Sequence, residues 1–344
     1  MFDRELKLFA LQSSRPYGER VATALGVTLA PHEERAFEDG EHKCRPLVSV
    51  RGADVFVVHS LYGEPGTSPN DKLCHLLFFA GALRDASAAS VTVVVPYLAY
   101  ARKDRKTQPR DPVTTRYVAM LFEAVGIDCM MAVDVHNVAA FENAFRCRTK
   151  HLEAKDLFAT HFAAALAQQT PVVVSPDTGG FKRAERLRAT LAERLGRPVG
   201  MAFMEKLRAL GVVSGQTLAG DVRGATAIII DDLIASGDTL LRTARACRVA
   251  GARHVFAAAT HGLFVGAADR MLADDSLDGC VVTDTVPPFR LAAALAARRL
   301  TVLPSAPFVA EAIRHVHEQG SLSGLAQTDA GAYNRLEYDA ANSR

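Results

Sequence analysis

The feature that most constrains the fold of this chain is the alternation of short β-branched runs with longer amphipathic segments. The short runs, seven in number, are Val55–His59, Val91–Pro96, Met131–Val135, Val172–Ser175, Ala227–Ile230, Val255–Ala258 and Val281–Thr283. The segments with apolar residues at helical spacing are Lys72–Ser87, Val113–Val125, Lys182–Leu195, Thr239–Val249 and Pro307–Gln319. This alternation predicts βαβ units. The runs are continuously apolar, which favours parallel strands covered by helices on both faces.

The chain has 344 residues, more than one hydrophobic core usually supports, and this length predicts two domains. The best domain boundary lies between Arg146 and Gln169, after one set of βα units and before another. The residues after Gln327 are polar, and we expect this tail to be frayed.

Composition and charge exclude several classes of protein. A hydrophobic fraction of 49% and a charged fraction of 23% are typical of a globular protein. The longest apolar runs are strand-sized, and the N-terminus lacks the apolar region of a signal peptide, so we expect a cytoplasmic protein outside the membrane. With 40 Lys and Arg against 38 Asp and Glu, the net charge of +2 indicates no general nucleic-acid surface.

The six cysteines are scattered along the chain, without a CxxC pair or a His/Cys cluster at metal-ligand spacing. We interpret them as buried free thiols.

The segment with the clearest chemistry is Ile228–Leu240, IIIDDLIASGDTL. It predicts a buried strand that ends in two carboxylates, then a small-residue turn into a helix that an Asp/Thr pair caps. Backbone N–H groups at a helix N-terminus bind phosphate, and carboxylates at a strand tip accept hydrogen bonds from sugar hydroxyls. The alternative is an ordinary strand-to-helix turn with Asp231 and Asp232 as solvated caps.

DDLIASGDT resembles the phosphoribosyl-binding signature of phosphoribosyltransferase-fold proteins, and the chain resembles the ribose-phosphate pyrophosphokinase family over nearly its whole length. The motifs that carry this resemblance, in chain order, are FEDGE (37–41), RGADVFVVHS (51–60), PYLAYARKDRK (96–106), DVH (134–136), SPDTGG (175–180) and THGLF (260–264).

The resemblance implies an α/β fold of two tandem phosphoribosyltransferase-type domains, each a mainly parallel sheet flanked by helices. The N-terminal domain would span residues 1–150 and bind ATP, and the C-terminal domain would span 151–306 and bind ribose 5-phosphate. A helix in 307–327 would pack on the N-terminal domain, ahead of the tail 328–344. The implied activity of this nucleotide-precursor enzyme is diphosphoryl transfer from MgATP to ribose 5-phosphate, which gives 5-phosphoribosyl 1-diphosphate and AMP.

The resemblance also assigns site residues. Those for ribose 5-phosphate are Asp231, Asp232, Ala235, Ser236, Gly237, Asp238 and Thr239. Those for ATP are Phe37, Asp39, Glu41, Arg102, Lys103, Asp104 and His136. Lys206 and Arg208, two apart in a stretch that could be mobile, would be catalytic, and His136 and Asp177 would hold Mg²⁺. On residues alone, FEDGE indicates only a turn, the ARKDR segment and the Lys206/Arg208 pair could be solvated, and His136 could be structural.

FEDGE would contact the ATP of a neighbouring subunit, which implies a homo-oligomer, a hexamer or a dimer, with a shared active site. The chain departs from the usual family pattern at Lys103, Asn137, Ala139, Ala235 and Asp238, and we interpret it as a divergent member. A regulatory homologue without activity and a phosphoribosyltransferase are the two alternatives.

Overall fold

The structure is a computed structural model that describes residues 4–209 and 212–320, with side chains except those of 206–209 and 212–216. The strands are β1 (Leu6–Ala10), β2 (His32–Ala36), β3 (His42–Pro46), β4 (Asp54–Val58), β5 (Ser90–Val95), β6 (Cys129–Val133), β7 (Arg148–Leu152), β8 (Pro171–Ser175), β9 (Gly200–Ala209), β10 (Val212–Ala219), β11 (Thr226–Ile234), β12 (His254–Gly262), β13 (Gly279–Thr283) and β14 (Leu300–Leu303). The α-helices are α1 (Arg15–Leu25), α2 (Pro69–Asp85), α3 (Thr114–Ala124), α4 (Val138–Ala144), α5 (Lys155–Ala165), α6 (Phe181–Leu195), α7 (Asp238–Val249), α8 (Ala268–Ala273), α9 (Ala293–Arg299) and α10 (Ala306–His317).

The chain forms two compact units. Among the described residues, the first comprises 4–153 with 306–320, and the second comprises 154–305. The predicted fold class is confirmed, because each unit contains a mainly parallel sheet flanked by helices. The predicted boundary segment 146–169 holds β7 and α5 and is therefore not a linker without structure.

The first unit is built on a five-stranded parallel sheet in the order β1-β4-β5-β6-β7. Strands β5 and β6 are buried along their whole length, as their continuous apolar sequences predict. Helix α2 begins at a capping box, in which Ser68 and Asp71 bond each other's backbone N–H, with Pro69 in the first turn. Strands β2 and β3 form a separate antiparallel hairpin, and α2 packs against β3.

Helix α10 returns the chain to the first unit after the second unit is complete. It packs on α1, where Arg314 Nη2 donates to the carbonyl oxygen of Ala24 at 3.4 Å. At its end, His317 Nδ1 lies 2.8 Å from Asp54 Oδ2 at the start of β4. The predicted tail 328–344 lies outside the described residues.

The second unit has a seven-stranded sheet in the order β10-β9-β8-β11-β12-β13-β14. All neighbours are parallel except β9 and β10, which form an antiparallel pair at one edge. β11 lies between β8 and β12, and its first five residues are fully buried. The carboxyl ends of β8, β11 and β12 meet at one edge of this sheet, where open α/β sheets bind ligands.

All seven predicted strands and all five predicted helices are present. The interpretation of the cysteines was wrong in part: all six thiols are free, but Cys74 is exposed and Cys147 is half-buried. Within residues 4–209 and 212–320, no helix combines the length and apolar character needed to cross a bilayer.

Candidate active site

The two carboxylates of the sugar-phosphate segment lie inside a strand and not at its tip. β11 continues to Ile234, three residues beyond Asp231, because it stays paired with β12 through Asp231↔Ala259 and Leu233↔His261. The prediction that the strand ends at the carboxylates was therefore wrong. Beyond Ile229, β11 pairs with β12 but no longer with β8. The two carboxylates therefore lie past the part of β11 that β8 covers.

Asp231 and Asp232 share a cation, Arg183, that lies outside their own sequence motif. Arg183, in the first turn of α6, places Nη1 3.4 Å from Asp231 Oδ1 and 3.4 Å from Asp232 Oδ1. The Asp232 side chain is only 4% exposed, against 23% for Asp231 and Arg183. Burial and the neighbouring Asp232 charge raise the pKa of Asp231, whereas Arg183 opposes this shift. The two carboxylates are therefore not solvated caps.

The turn after β11 depends on a glycine. Gly237 has φ 82° and precedes α7, which begins at Asp238. A Cβ at this position would lie 2.7 Å from Met271 Cγ, so both backbone conformation and packing require glycine. The predicted Asp/Thr cap was wrong, because Gly237 occupies the N-cap position and Asp238 lies in the first turn.

Asp238, one of the positions that depart from the family pattern, is bonded within the turn. Ser236 Oγ donates to Asp238 Oδ2 at 2.7 Å, and Asp238 is exposed. Arg242, one turn along α7, donates to Thr239 Oγ1 at 3.4 Å. The turn thus carries a carboxylate and a guanidinium within the first turns of a helix whose N-terminal dipole favours anions.

The THGLF motif and the residue after it form backbone hydrogen bonds to this turn. The N–H of Val265 donates to the carbonyl of Ala235 at 3.0 Å, and that of Leu263 donates to Ile234 at 2.9 Å. Phe264 has φ 47° and is buried. Its ring occupies the space that a Cβ on Gly262 would need. THGLF therefore contributes backbone support to the turn.

The loop after β8 places Asp177 beside the N-terminus of α6. Asp177 Oδ1 accepts from the N–H of Gly180 at 2.8 Å, and Ser175 Oγ donates to the carbonyl of Asp177 at 2.6 Å. A Cβ on Gly180 would lie 3.0 Å from Ser175 Oγ, which explains the small residue there. Asp177 itself is exposed.

In the first unit, the basic segment after β5 is held by its own loop. Lys103 Nζ forms an ion pair with Asp111 and donates to Thr107 Oγ1 at 3.1 Å. This ion pair lowers the pKa of Asp111. Arg102 is exposed. The positive charge of Lys103 is thus largely neutralised by Asp111 within the same loop.

The departure at Asn137 has a structural explanation. Its Oδ1 accepts from the N–H of Ala140 at 3.2 Å as the N-cap of α4, and its Nδ2 donates to Asp104 Oδ2 at 2.6 Å. Asn137 therefore connects the basic segment to the segment that follows β6. His136, next to it, is exposed, and Asp134 holds φ 37° immediately after β6.

The FEDGE segment is the exposed tip of the β2–β3 hairpin. The N–H of Phe37 donates to the Glu41 carbonyl at 2.7 Å, and Glu41 N–H donates to Asp39 Oδ1 at 3.1 Å. The Phe37 side chain remains 43% exposed, with the Arg35 guanidinium 5.2 Å from its ring centroid. The tip presents an aromatic ring and carboxylates outward.

Lys206 and Arg208 lie in β9, where their backbones pair with Gln216 and Val213 of β10. Their side chains, and residues 210–211, lie outside the described part of the chain. Within the second unit the structure thus brings together Asp231, Asp232 and the 235–239 turn, with Arg183 as the residue that sequence reasoning missed. A signal existed, since Arg183 follows SPDTGG at the start of a predicted helix.

Two family models match the chain: the N-terminal domain of ribose phosphate pyrophosphokinase over residues 6–126, and the phosphoribosyl synthetase-associated domain over residues 211–327. The chain is 35% identical to ribose-phosphate pyrophosphokinase 2 of Enterococcus faecalis, over 95% of this chain and 98% of that protein. It is 36% identical to the ribose-phosphate pyrophosphokinase of Hyphomonas neptunium, over 93% and 99%. It also resembles the crystal structure of phosphoribosylpyrophosphate synthetase from Mycobacterium smegmatis, with a TM-score of 0.82, 34% identity and coverage of 92% and 100%.

Proposed function

The chain belongs to the ribose-phosphate pyrophosphokinase family, and on that premise we propose how its own residues bind the two substrates and transfer the diphosphoryl group. The chain is a diphosphotransferase that makes 5-phosphoribosyl 1-diphosphate and AMP from ATP and ribose 5-phosphate. The observation that carries the site assignment is the pair of carboxylates on β11 directly before a glycine turn into α7.

Ribose 5-phosphate is assigned to the carboxyl end of β11. Asp231 and Asp232 accept hydrogen bonds from the ribose hydroxyls, and Arg183 keeps their combined negative charge partly neutralised. The 5-phosphate lies against the backbone N–H groups of Ala235, Ser236 and Gly237 and the first turn of α7, with the hydroxyl of Thr239 as a further donor. These contacts fix the sugar for attack by its anomeric hydroxyl.

Asp238 weakens this phosphate site. Its carboxylate, held by the Ser236 hydroxyl, lies in the same helical turn that receives the phosphate, and two anions there repel. We expect Asp238→Asn to lower the KM for ribose 5-phosphate roughly fivefold, equivalent to about 1 kcal/mol, with little change in kcat. Steady-state kinetics at low ionic strength test this, with Asp275→Asn, an exposed carboxylate of the same unit, as control. An unchanged or higher KM would show that Asp238 does not face the phosphate.

ATP is assigned to the first unit. Arg102 and Lys103 contact the phosphates, whereas Asp104, fixed by Asn137, and His136 orient the nucleotide. The FEDGE tip contacts the adenosine of a neighbouring subunit through Phe37, Asp39 and Glu41. Its outward-facing ring and carboxylates support this assignment. The active enzyme is then a homo-oligomer, a dimer or a hexamer, and a strictly monomeric, fully active enzyme would contradict this.

Mg²⁺ fits the residues assigned to it in part. Asp177 offers an exposed carboxylate oriented by the N–H of Gly180, and hard oxygen donors are those that Mg²⁺ prefers. His136 is exposed as well, although an imidazole is a less usual Mg²⁺ ligand. When bound with ATP, the ion neutralises phosphate charge. We retain Asp177 and His136 as its proposed protein ligands, with phosphate oxygens and waters as the remaining ligands.

The transfer itself needs positioning and charge neutralisation. The anomeric oxygen attacks the β-phosphorus of ATP, its bond to that phosphorus forms as the bond to the α-phosphate oxygen breaks, and AMP leaves. The anomeric proton passes to solvent or to a nearby base. Lys206 and Arg208 stabilise the negative charge that builds on the transferring group. No covalent enzyme intermediate is needed.

A single assay tests the activity. Purified enzyme with MgATP and ribose 5-phosphate is expected to release AMP and 5-phosphoribosyl 1-diphosphate in equal amounts. No AMP above background would leave the regulatory homologue, which binds nucleotide without turnover. Consumption of added 5-phosphoribosyl 1-diphosphate with a free base, in the absence of the first reaction, would identify a phosphoribosyltransferase.

A further inference from the structure

The β2–β3 hairpin and α2 bring together three side chains that can ligate a metal ion, none of which is among the residues assigned above. Glu34 comes from β2, His42 from β3 and His75 from α2, and one ligand atom of each lies within 4.8 Å of the others. A tetrahedral ion with bonds of about 2.0–2.2 Å needs its ligand atoms roughly 3.4 Å apart. Binding of an ion therefore requires rotations of these side chains that bring their ligand atoms closer together.

His42 is the observation that points most directly to a ligand. Its side chain is only 8% exposed, and neither ring nitrogen has a hydrogen-bond partner in the described part of the chain. The Glu34 carboxylate lies 3.6 Å from Nε2, beyond hydrogen-bond reach. A buried imidazole without partners costs about 1–3 kcal/mol, which a bond to a metal ion would offset.

Hydrogen bonds from neighbouring groups orient the Glu34 carboxylate of the cluster. His32 Nε2 lies 2.8 Å from Glu34 Oε1, and the backbone N–H of Gln12 also donates to that oxygen, so the carboxylate is held in place from behind. These bonds lower the pKa of Glu34 despite its burial. Burial, followed by the nearby His42, lowers the pKa of His75.

Two further charged side chains of α2 lie near the cluster, Asp71 and Lys72, and Lys72 is paired with a carboxylate. Lys72, one turn before His75 on α2, is fully buried, with Nζ 2.9 Å from Glu64 Oε1 and 3.6 Å from the centroid of the Tyr62 ring. His59 is also buried nearby, and burial lowers its pKa, with a further contribution from Lys72. Glu34 is the anion within the cluster that balances a bound cation, and Asp71 also acts electrostatically on His75.

We propose that Glu34, His42 and His75 form a binding site for a transition-metal ion of the Zn²⁺ class. Two imidazoles and one carboxylate are a donor set that Zn²⁺ accepts, with water in the fourth position, and Mg²⁺ disfavours imidazole. The rings of His42 and His75 are stacked, with centroids 3.6 Å apart and planes at 20°. One ring turns out of the stack so that both nitrogens meet at one ion.

The ion links three elements that the chain brings from far apart. It ties both strands of the hairpin to α2, directly behind the FEDGE tip, since His42 follows Glu41. Bound metal therefore limits how far the tip can move. That consequence for adenosine binding rests on the proposed function, whereas binding of the ion does not.

The test is calorimetric titration of Zn²⁺ into untagged, chelator-treated, full-length protein without substrates. We expect one ion per chain and a higher melting temperature with Zn²⁺, with no comparable effect of Mg²⁺. His75→Ala should weaken binding more than about 100-fold, and His32→Ala, which removes only the support of Glu34, about 10–100-fold. His75 is half-buried, so we expect its substitution to leave the fold intact, and circular dichroism is the check.

His254→Ala is the matched control, because His254 is a partly exposed histidine of the second unit, 3.6 Å from Asp278 Oδ2. It should bind Zn²⁺ as the wild type does. The proposal is overturned if the wild-type protein binds no Zn²⁺, or if His75→Ala and Glu34→Gln both bind it as tightly as the wild type. Because neither ATP nor ribose 5-phosphate is present, failure here leaves the assay of activity unaffected.

Discussion

Lys206→Ala is expected to lower kcat about 10²–10³-fold and to change the KM for ATP less than about threefold. The proposed role of Lys206 is to meet charge that appears only as the diphosphoryl group transfers, and an interaction made only in the transition state affects kcat far more than ground-state binding. Steady-state kinetics with ATP varied at saturating ribose 5-phosphate measure both quantities, and direct nucleotide titration checks the affinity.

The control for Lys206→Ala is Lys7→Ala, which removes a lysine that pairs with Glu5 at the start of β1. It should leave kcat within about twofold of wild type, because a surface ion pair contributes little to stability and Lys7 has no proposed role in catalysis. A comparable loss in ATP affinity and turnover for Lys206→Ala would place Lys206 in ground-state binding instead.

Arg183→Met is expected to destabilise the second unit by about 2–3 kcal/mol. The substitution keeps the length of the side chain but leaves Asp231 and the buried Asp232 without their shared cation, and an uncompensated buried charge is strongly destabilising. Denaturant unfolding measures the change. Arg188→Met is the matched control on the same helix, because Arg188 makes only a partly exposed ion pair with Glu185 and should cost less than about 0.5 kcal/mol.

The same variant should make stability depend more strongly on pH. The pKa of Asp231 is already raised in the folded protein, and loss of Arg183 raises it further. A carboxyl whose folded pKa lies above its unfolded pKa takes up a proton on folding, so stability is highest below the unfolded pKa and falls as pH rises towards the folded one. The destabilisation by Arg183→Met should therefore be larger at pH 8 than at pH 5. Asp231→Asn in the Arg183→Met background should remove most of this dependence; a double mutant with the same pH profile would contradict the pairing.

The buried strands and long helices could be predicted from sequence because their signals are local. The apolar run Ala227–Ile230 identified β11, but its extension to Ile234 depends on pairing with β12, which no local pattern reports. The cap of α7 was mistaken for a similar reason: Asp238 is a good capping residue, but Met271 and the positive φ of Gly237 fix the turn one residue earlier.

The candidate site was predictable where one motif contains it and not where separate segments meet. Asp231 to Thr239 are contiguous, so their chemistry could be inferred together. Arg183 lies 48 residues from Asp231 in the sequence, so its contact with the two carboxylates could be seen only in the structure. Glu34, His42 and His75 are likewise too far apart in sequence for a ligand-spacing pattern, since a hairpin and a helix assemble them.

The return of α10 to the first unit bears on how the chain folds as it is synthesised. Helix α1 and the start of β4 receive their partners, Arg314 and His317, only after the whole second unit has been synthesised. Before α10 is synthesised, the surface of the first unit beside α1 is therefore exposed. At that stage every strand of the second unit's sheet, β8 to β14, has already been synthesised. Although translation runs from the N-terminus, the later unit can be completed first. Until α10 has been synthesised, the open surface beside α1 is where a chaperone would be needed.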